Sequence, residues 1–157
     1  MLKPFLLAAA LLVITGAVRS ANGAEPPADL CALLPAAEVS KILGRTYDSP
    51  QKSVAPRPFA NTAMGTDCNY PAKASKLWFR AYVDPSPSAA AELFAKLSKF
   101  YGPQTPVTGV GDEAYVDGQH AIHVRKGKVR FYLNLDPVTP ATEKQIKDLA
   151  GQVAARL

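Results

Sequence analysis

Two cysteines behind an export leader constrain this chain more than any other feature it carries. Residues 1–23 open with Lys3, run apolar over 5–18 and close on the small-x-small triplet Ala21-Asn22-Gly23. That order is a secretory signal, with cleavage after Gly23 or Ala24. The run is shorter than the roughly 20 apolar residues a membrane-spanning helix needs. Gly16 and Arg19 also break it. The expected mature protein is a single domain over 24–157, periplasmic or secreted, with no stable membrane insertion after cleavage.

Cys31 and Cys68 enter that domain in separate segments. In an oxidising compartment such a pair is expected to form a structural disulfide. A loop of this length gains roughly 3.5–4 kcal/mol in the chain-entropy model. The competing readings are a reactive thiol or a metal ligand. No C-x-x-C is present, and His120 and His123 are the only histidines, so both are poorly supported. A lipid anchor would need a cysteine at the cleavage point, whereas Ala28-Asp29-Leu30 precedes Cys31.

About 133 residues are enough for one domain with its own core. The signal removes Lys3 and Arg19, so 18 basic residues fall to 16 against 13 acids, and net charge falls from +5 to +3. Three excess charges on an exported chain argue against nucleic acid as a partner.

Hydrophobic spacing predicts three helices, over 33–43, 87–101 and 140–155. The first has Pro35 in its opening turn and Gly44 as its stop. In the second, Ala90, Leu93, Phe94, Leu97 and Tyr101 share one face, and Glu92 and Lys96 are placed to pair on the other. Strands are predicted over 67–70, 77–83, 113–116, 119–124 and 129–135, with a short one near 45–47. Residues 24–28 read as a mobile leader, and 48–66, with its prolines, as a long loop. Two stretches echo each other: each runs from a strand through Asp-Pro into a helix capped by Ser86 or Thr139, with Pro87 or Pro140 next. The predicted class is α+β: an antiparallel sheet of about five or six strands with helices packed on one face.

If Lys126-Gly127 turns the last hairpin, Val124 faces Val129 and Ile122 faces Phe131 on the core side. Arg125 then opposes Lys128, and His123 opposes Arg130, on the other side. Arg80, Tyr82 and Tyr132 join them there, near Trp78 and Asn134. This gives a candidate ligand or partner face of Arg80, Tyr82, His123, Arg125, Lys128, Arg130 and Tyr132. One reading is that the face meets an anionic small ligand or an envelope protein. The other is that acids such as Asp112 neutralise it and water covers it.

Other chemistry is thin. His120 and His123 are three apart, so on a strand they point to opposite faces and cannot share a metal. His120 is expected at the core rim and His123 on the wet face. Gly109-Val110-Gly111-Asp112 lacks the lysine and following helix of a phosphate loop and reads as tight turns. Asp112 and Glu113 diverge on a strand and make a poor acid–base pair. No nucleophile stands beside a base, so no catalytic residue, metal or cofactor is assigned.

The stretches CALLPAAEVSKILG, DCNYPA, VTGVGDEAYVDGQHAIHVRKGKVRFYLNL and KQIKDLAGQVAARL together resemble a family of small exported bacterial proteins, the domain of unknown function DUF3558. Cys31, Leu33, Leu34, Glu38, Val39, Cys68, Tyr70, Gly109, Gly111, Asp112, Ala114 and Tyr115 carry the match. The resemblance implies a two-cysteine domain and transfers no catalytic site. Many such relatives are lipoproteins, and this chain lacks their lipidated cysteine. The reading is therefore an exported, non-enzymatic binding or accessory module of the cell envelope. The alternatives are a hydrolase-type enzyme whose site is scattered in sequence, and a structural envelope protein.

Overall fold

The computed structural model describes residues 25–157; the signal reading at 1–23 lies outside them. Seven strands form one antiparallel sheet: β1 Gln51–Ala55, β2 Gly65–Ala72, β3 Ser75–Val83, β4 Thr105–Pro106, β5 Glu113–Val116, β6 Ile122–Lys126 and β7 Val129–Asp136. Their spatial order is β1-β2-β3-β7-β6-β5-β4, which leaves β1 and β4 as the edges. Three helices complete the fold: α1 Ala36–Leu43, α2 Pro87–Ser98 and α3 Pro140–Ala155. The α+β class and the single disulfide stand as expected, and the sheet is wider than five or six strands.

The apolar face follows from strand alternation. Cys68 opposes Phe79, Phe79 opposes Leu133, and Tyr70, Leu77 and Leu135 line up one step along. Val124 and Ile122 extend the row through β6. Val39 and Leu43 of α1 and Ile146, Leu149, Ala150 and Val153 of α3 close over it as one core. Cys31, in a 3₁₀ turn over Leu30–Leu33, bonds to Cys68 with the Cα atoms 5.7 Å apart. The buried Tyr70 hydroxyl donates to the Leu34 carbonyl at 2.6 Å beside it. The disulfide thus fastens the entrance of the first helix to β2, on both sides of the intervening segment.

Several expectations needed correction. The helix over 33–43 divides at Pro35, whose ring steers Leu34 out of the helical region, and α1 starts only at Ala36. No strand forms near 45–47, while the supposed loop over 48–66 contains β1. β1 is exposed at four of five positions, so it lacks the apolar alternation that marks a strand. The strand expected over 119–124 begins at Ile122, because Asp117 folds the preceding residues into a turn. Its Oδ1 accepts from the Gln119 amide at 2.8 Å and the Ala121 amide at 3.0 Å. The leader is irregular, and Glu25 pairs with Lys128 at 2.8 Å.

The last hairpin turns on Gly127-Lys128 rather than Lys126-Gly127. Gly127 has φ 54° and takes the first central position, where tight hairpin turns favour glycine. The register therefore moves two residues: Val124 opposes Phe131, Ile122 opposes Leu133, His123 opposes Tyr132 and Arg125 opposes Arg130. Because the shift is even, every side chain keeps its expected face.

The helices do not all share one face. α2 ends at Ser98, and its buried Ala90 and Phe94 stand apart from the core under α1 and α3. Phe94 instead meets Tyr115 on the opposite side, with ring centroids 5.1 Å apart. Both echoed helix starts are capped as expected, Ser86 accepting from Ala89 at 3.1 Å and Thr139 from Thr142 at 3.3 Å. Their helices nevertheless leave neighbouring strands for opposite faces.

Candidate functional site

With α2 over it, the second face of the sheet becomes a cleft. Its floor is Arg80 and Tyr82 of β3, Tyr115 of β5, His123 of β6, and Arg130 and Tyr132 of β7. Phe94, Leu97 and Tyr101 roof it, and Pro56, Arg57 and Pro58 of the β1–β2 loop wall one side. The cavity is about 110 Å³. Engineered apolar cavities of roughly 150 Å³ hold a benzene, so the space is close to one ring in size.

Register decides which side chains meet on the floor. Tyr115 opposes His123, and their rings stack with centroids 4.8 Å apart and 12° between planes. His123 opposes Tyr132 at 5.4 Å, and Tyr101 covers it from above at 4.5 Å. Arg80 lies 5.4 Å from the Tyr132 ring, and Arg130 lies 5.1 Å from that of Tyr82. At the mouth Phe59 meets Phe100 at 5.9 Å, and Lys96 sits 4.1 Å from the Phe59 ring instead of pairing with Glu92.

The basic row is neutralised from within. Arg80 binds Asp67, its cross-strand partner, through both carboxylate oxygens, at 2.5 and 2.8 Å. Arg130 grips Asp84 in the same forked way, and this pair is sealed, its side chains 4% and 0% exposed. Arg125 reaches Asp112 at 2.9 Å and Glu113 at 3.1 Å, which draws it away from Arg130 opposite. Five of the seven predicted face residues, Arg80, Tyr82, His123, Arg130 and Tyr132, therefore line the cleft. Arg125 and Lys128 lie at the hairpin end, outside it.

The wall loop contributes a different kind of cation. Arg57 is exposed, its one side-chain hydrogen bond is a 3.5 Å contact to the Ala60 carbonyl, and among the described residues no carboxylate pairs with it.

Two histidine expectations change. His123 is on the second face but buried beneath Tyr101, and its Nε2 sits 2.8 Å from Asp117 Oδ2. His120, with φ 62°, is exposed rather than at the core rim and lies 3.6 Å from Glu143 of α3. The two do not converge on a site. Burial pushes the Asp117 carboxyl up, yet the His123 ring and the Ala121 and Gln119 amides outweigh it and hold it below the ordinary aspartate value. Burial also raises the phenols: Tyr132 rises to about 12, and Tyr82 and Tyr115 rise as well. Such phenols stay protonated at neutral pH and are weak bases and nucleophiles. The Tyr115 hydroxyl is buried without a hydrogen-bond partner.

The Gly109–Asp112 turns have a structural task. Gly111, at φ 64°, passes so close to β6 that a Cβ there would meet the Arg125 carbonyl at 2.5 Å. The close approach lets Asp112 accept from the Gly127 amide at 2.7 Å and from Lys126 at 3.1 Å, clamping the hairpin turn. Trp78 is half-buried, with Lys76 4.6 Å from its ring, as expected of a packing residue.

Sequence reasoning missed Phe94, Leu97, Tyr101 and Tyr115 as cleft residues. The helical stripe announced a buried face without saying which side of the sheet would bury it. The available signal was the second face itself, since rings at 115, 123 and 132 need a cover.

No family model and no characterised protein sequence matches the chain. Among solved structures it is similar to the extracellular domain of PknH from Mycobacterium tuberculosis, at 13% identity and a TM-score of 0.53. The match covers 85% of this chain and 98% of that one. At this identity the likeness is one of fold. Among the described residues no helix is long and apolar enough to cross a membrane.

Proposed function

We propose that the chain is an exported, non-enzymatic binding module of the cell envelope, which takes its ligand in the cleft between α2 and the sheet. The observation that carries this reading is the preformed aromatic cavity, whose walls are held by the Arg80–Asp67 and Arg130–Asp84 forks. Pockets of this kind, apolar with a few placed polar groups, are the usual form of small-ligand sites. Export is supported by the leader at 1–23, by the Cys31–Cys68 bond, and by a fold shared with a domain that is itself extracellular. The location is periplasmic or secreted, and the two-cysteine pattern suits the DUF3558-like family.

The enzymatic alternative draws on one observation, the buried His123–Asp117 pair facing the cleft. A base of that kind would have only water to activate, since no serine, threonine or cysteine lines the cavity, and the His123 ring is buried beneath Tyr101 with its Nε2 held by Asp117. Binding is therefore the better reading. Its test compares the wild-type protein with Leu97→Trp, whose indole would fill the cleft, as baits for small molecules from a native envelope extract. Mass spectrometry should find compounds eluting from the wild type alone. Identical elution profiles from both baits would sink the proposal.

A further inference from the structure

Resting on the cleft reading, we infer that the occupant is a small planar aromatic compound carrying one negative charge, an aryl carboxylate. Three features of the cleft lead to this class. The first is shape: Tyr101, Tyr115, His123 and Tyr132 pack on one another with centroids 4.5 to 5.4 Å apart, and this aromatic cluster, with Phe94 and Tyr82, borders a space about one ring in size, 110 Å³. Flat rings gain from offset and edge-to-face contacts with such walls in a way that saturated rings do not.

The second is polar supply. A sugar needs several free donors and acceptors, and a phosphate needs several free donors. Here the charged groups are already engaged, Arg80 with Asp67, Arg130 with Asp84 and His123 with Asp117, and the Tyr82 hydroxyl donates to the Pro56 carbonyl at 2.9 Å; the buried Tyr115 hydroxyl is left without a partner. Diverting Arg130 or His123 would leave a buried carboxylate unsatisfied, at a cost that a small ligand could not recover. One free buried hydroxyl and one exposed fork fall short of what either class needs.

The third is charge. The Arg80–Asp67 and Arg130–Asp84 pairs each sum to zero, so exposed cations set the sign of the cleft: Arg57 on the wall, with its fork free of carboxylates, and Lys96 at the mouth. A guanidinium fork matches a carboxylate in two parallel hydrogen bonds. The ring would enter between α2 and the sheet, with its carboxylate outward toward residue 57.

The test titrates the full chain, expressed with export so that its disulfide forms, with benzoate, benzyl alcohol and cyclohexanecarboxylate, following side-chain and amide resonances by NMR. Benzoate should shift the Tyr101, His123 and Tyr132 signals and bind about three- to fivefold more tightly than its neutral analogue benzyl alcohol. Arg57→Ala, at an exposed position that leaves the core untouched, should erase that difference. Cyclohexanecarboxylate should bind more weakly than benzoate. If benzyl alcohol or cyclohexanecarboxylate equals benzoate, or Arg57→Ala changes nothing, the ligand class is wrong while the cleft remains a binding site. If no ring compound at about 10 mM moves any cleft resonance, the cleft reading fails and this inference with it.

Discussion

The face of the sheet under α1 and α3 is apolar from Cys68 across to Val124, and a covalent bond fastens it. The face under α2 alternates rings with ion pairs, and charge fastens it. Both are buried, but burial is reached by different physics. On the first face close packing tolerates almost any apolar residue of suitable volume. On the second the sealed Arg130 needs its own carboxylate, because an unmatched buried charge is severely destabilising. A site that must keep one shape while holding polar groups gains more from the second arrangement.

Removing a partner from the sealed pair should expose that contrast most sharply. Asp84→Ala leaves Arg130 buried without a counter-ion and is expected to cost about 3–5 kcal/mol in urea unfolding. The double replacement Asp84→Leu with Arg130→Met should recover most of it. A cost below about 1 kcal/mol for the single change would show that the cleft face is not held by this pair.

On the other face, Cys31→Ser with Cys68→Ser should cost about 2–4 kcal/mol. The cleft should survive the change with its aromatic contacts intact, since the bond lies across the sheet from it. Loss of the Tyr101–His123 contact by NMR in that variant would break the separation drawn between the faces.

Asp117 gives a finer test, through pH. Its folded-state pKa lies below the unfolded value, so its contribution is present above about pH 4 and is lost as pH falls through the folded value. Asp117→Asn should flatten that acid limb of the stability curve and cost about 1–2 kcal/mol at neutral pH. An unchanged acid limb would remove Asp117 from the set of groups that hold His123.

Asp67→Ala should have the smallest effect, about 1 kcal/mol or less, because Arg80 and Asp67 are 26% and 18% exposed and water can replace the lost partner. It should also shrink in high salt, whereas the Asp84 effect should not.

The apolar face was readable along the chain, and the cleft was not. Helix boundaries at Ser86-Pro87 and Thr139-Pro140 follow from local capping chemistry, so the sequence carries them directly. The disulfide follows from there being two cysteines behind a stretch that reads as an export leader. β1 escaped notice because an edge strand with only Ala55 buried has no pattern to show. The register of the last hairpin hinged on which of Lys126-Gly127 or Gly127-Lys128 made the turn, and both contain the glycine. Above all, α2 carries a sound apolar stripe, and periodicity cannot tell which face of a sheet a stripe will cover. The cleft exists because it covers the polar one.

Both margins of the sheet end abruptly. β1 is bounded by Pro50 and Pro56 and carries Lys52, and β4 is two residues long and ends in Pro106. Unpaired strand borders invite other chains to add on, and proline, lysine and brevity are the features that discourage it. A seven-stranded sheet with such margins resists growing into fibres, so the protein can be concentrated without its copies knitting together.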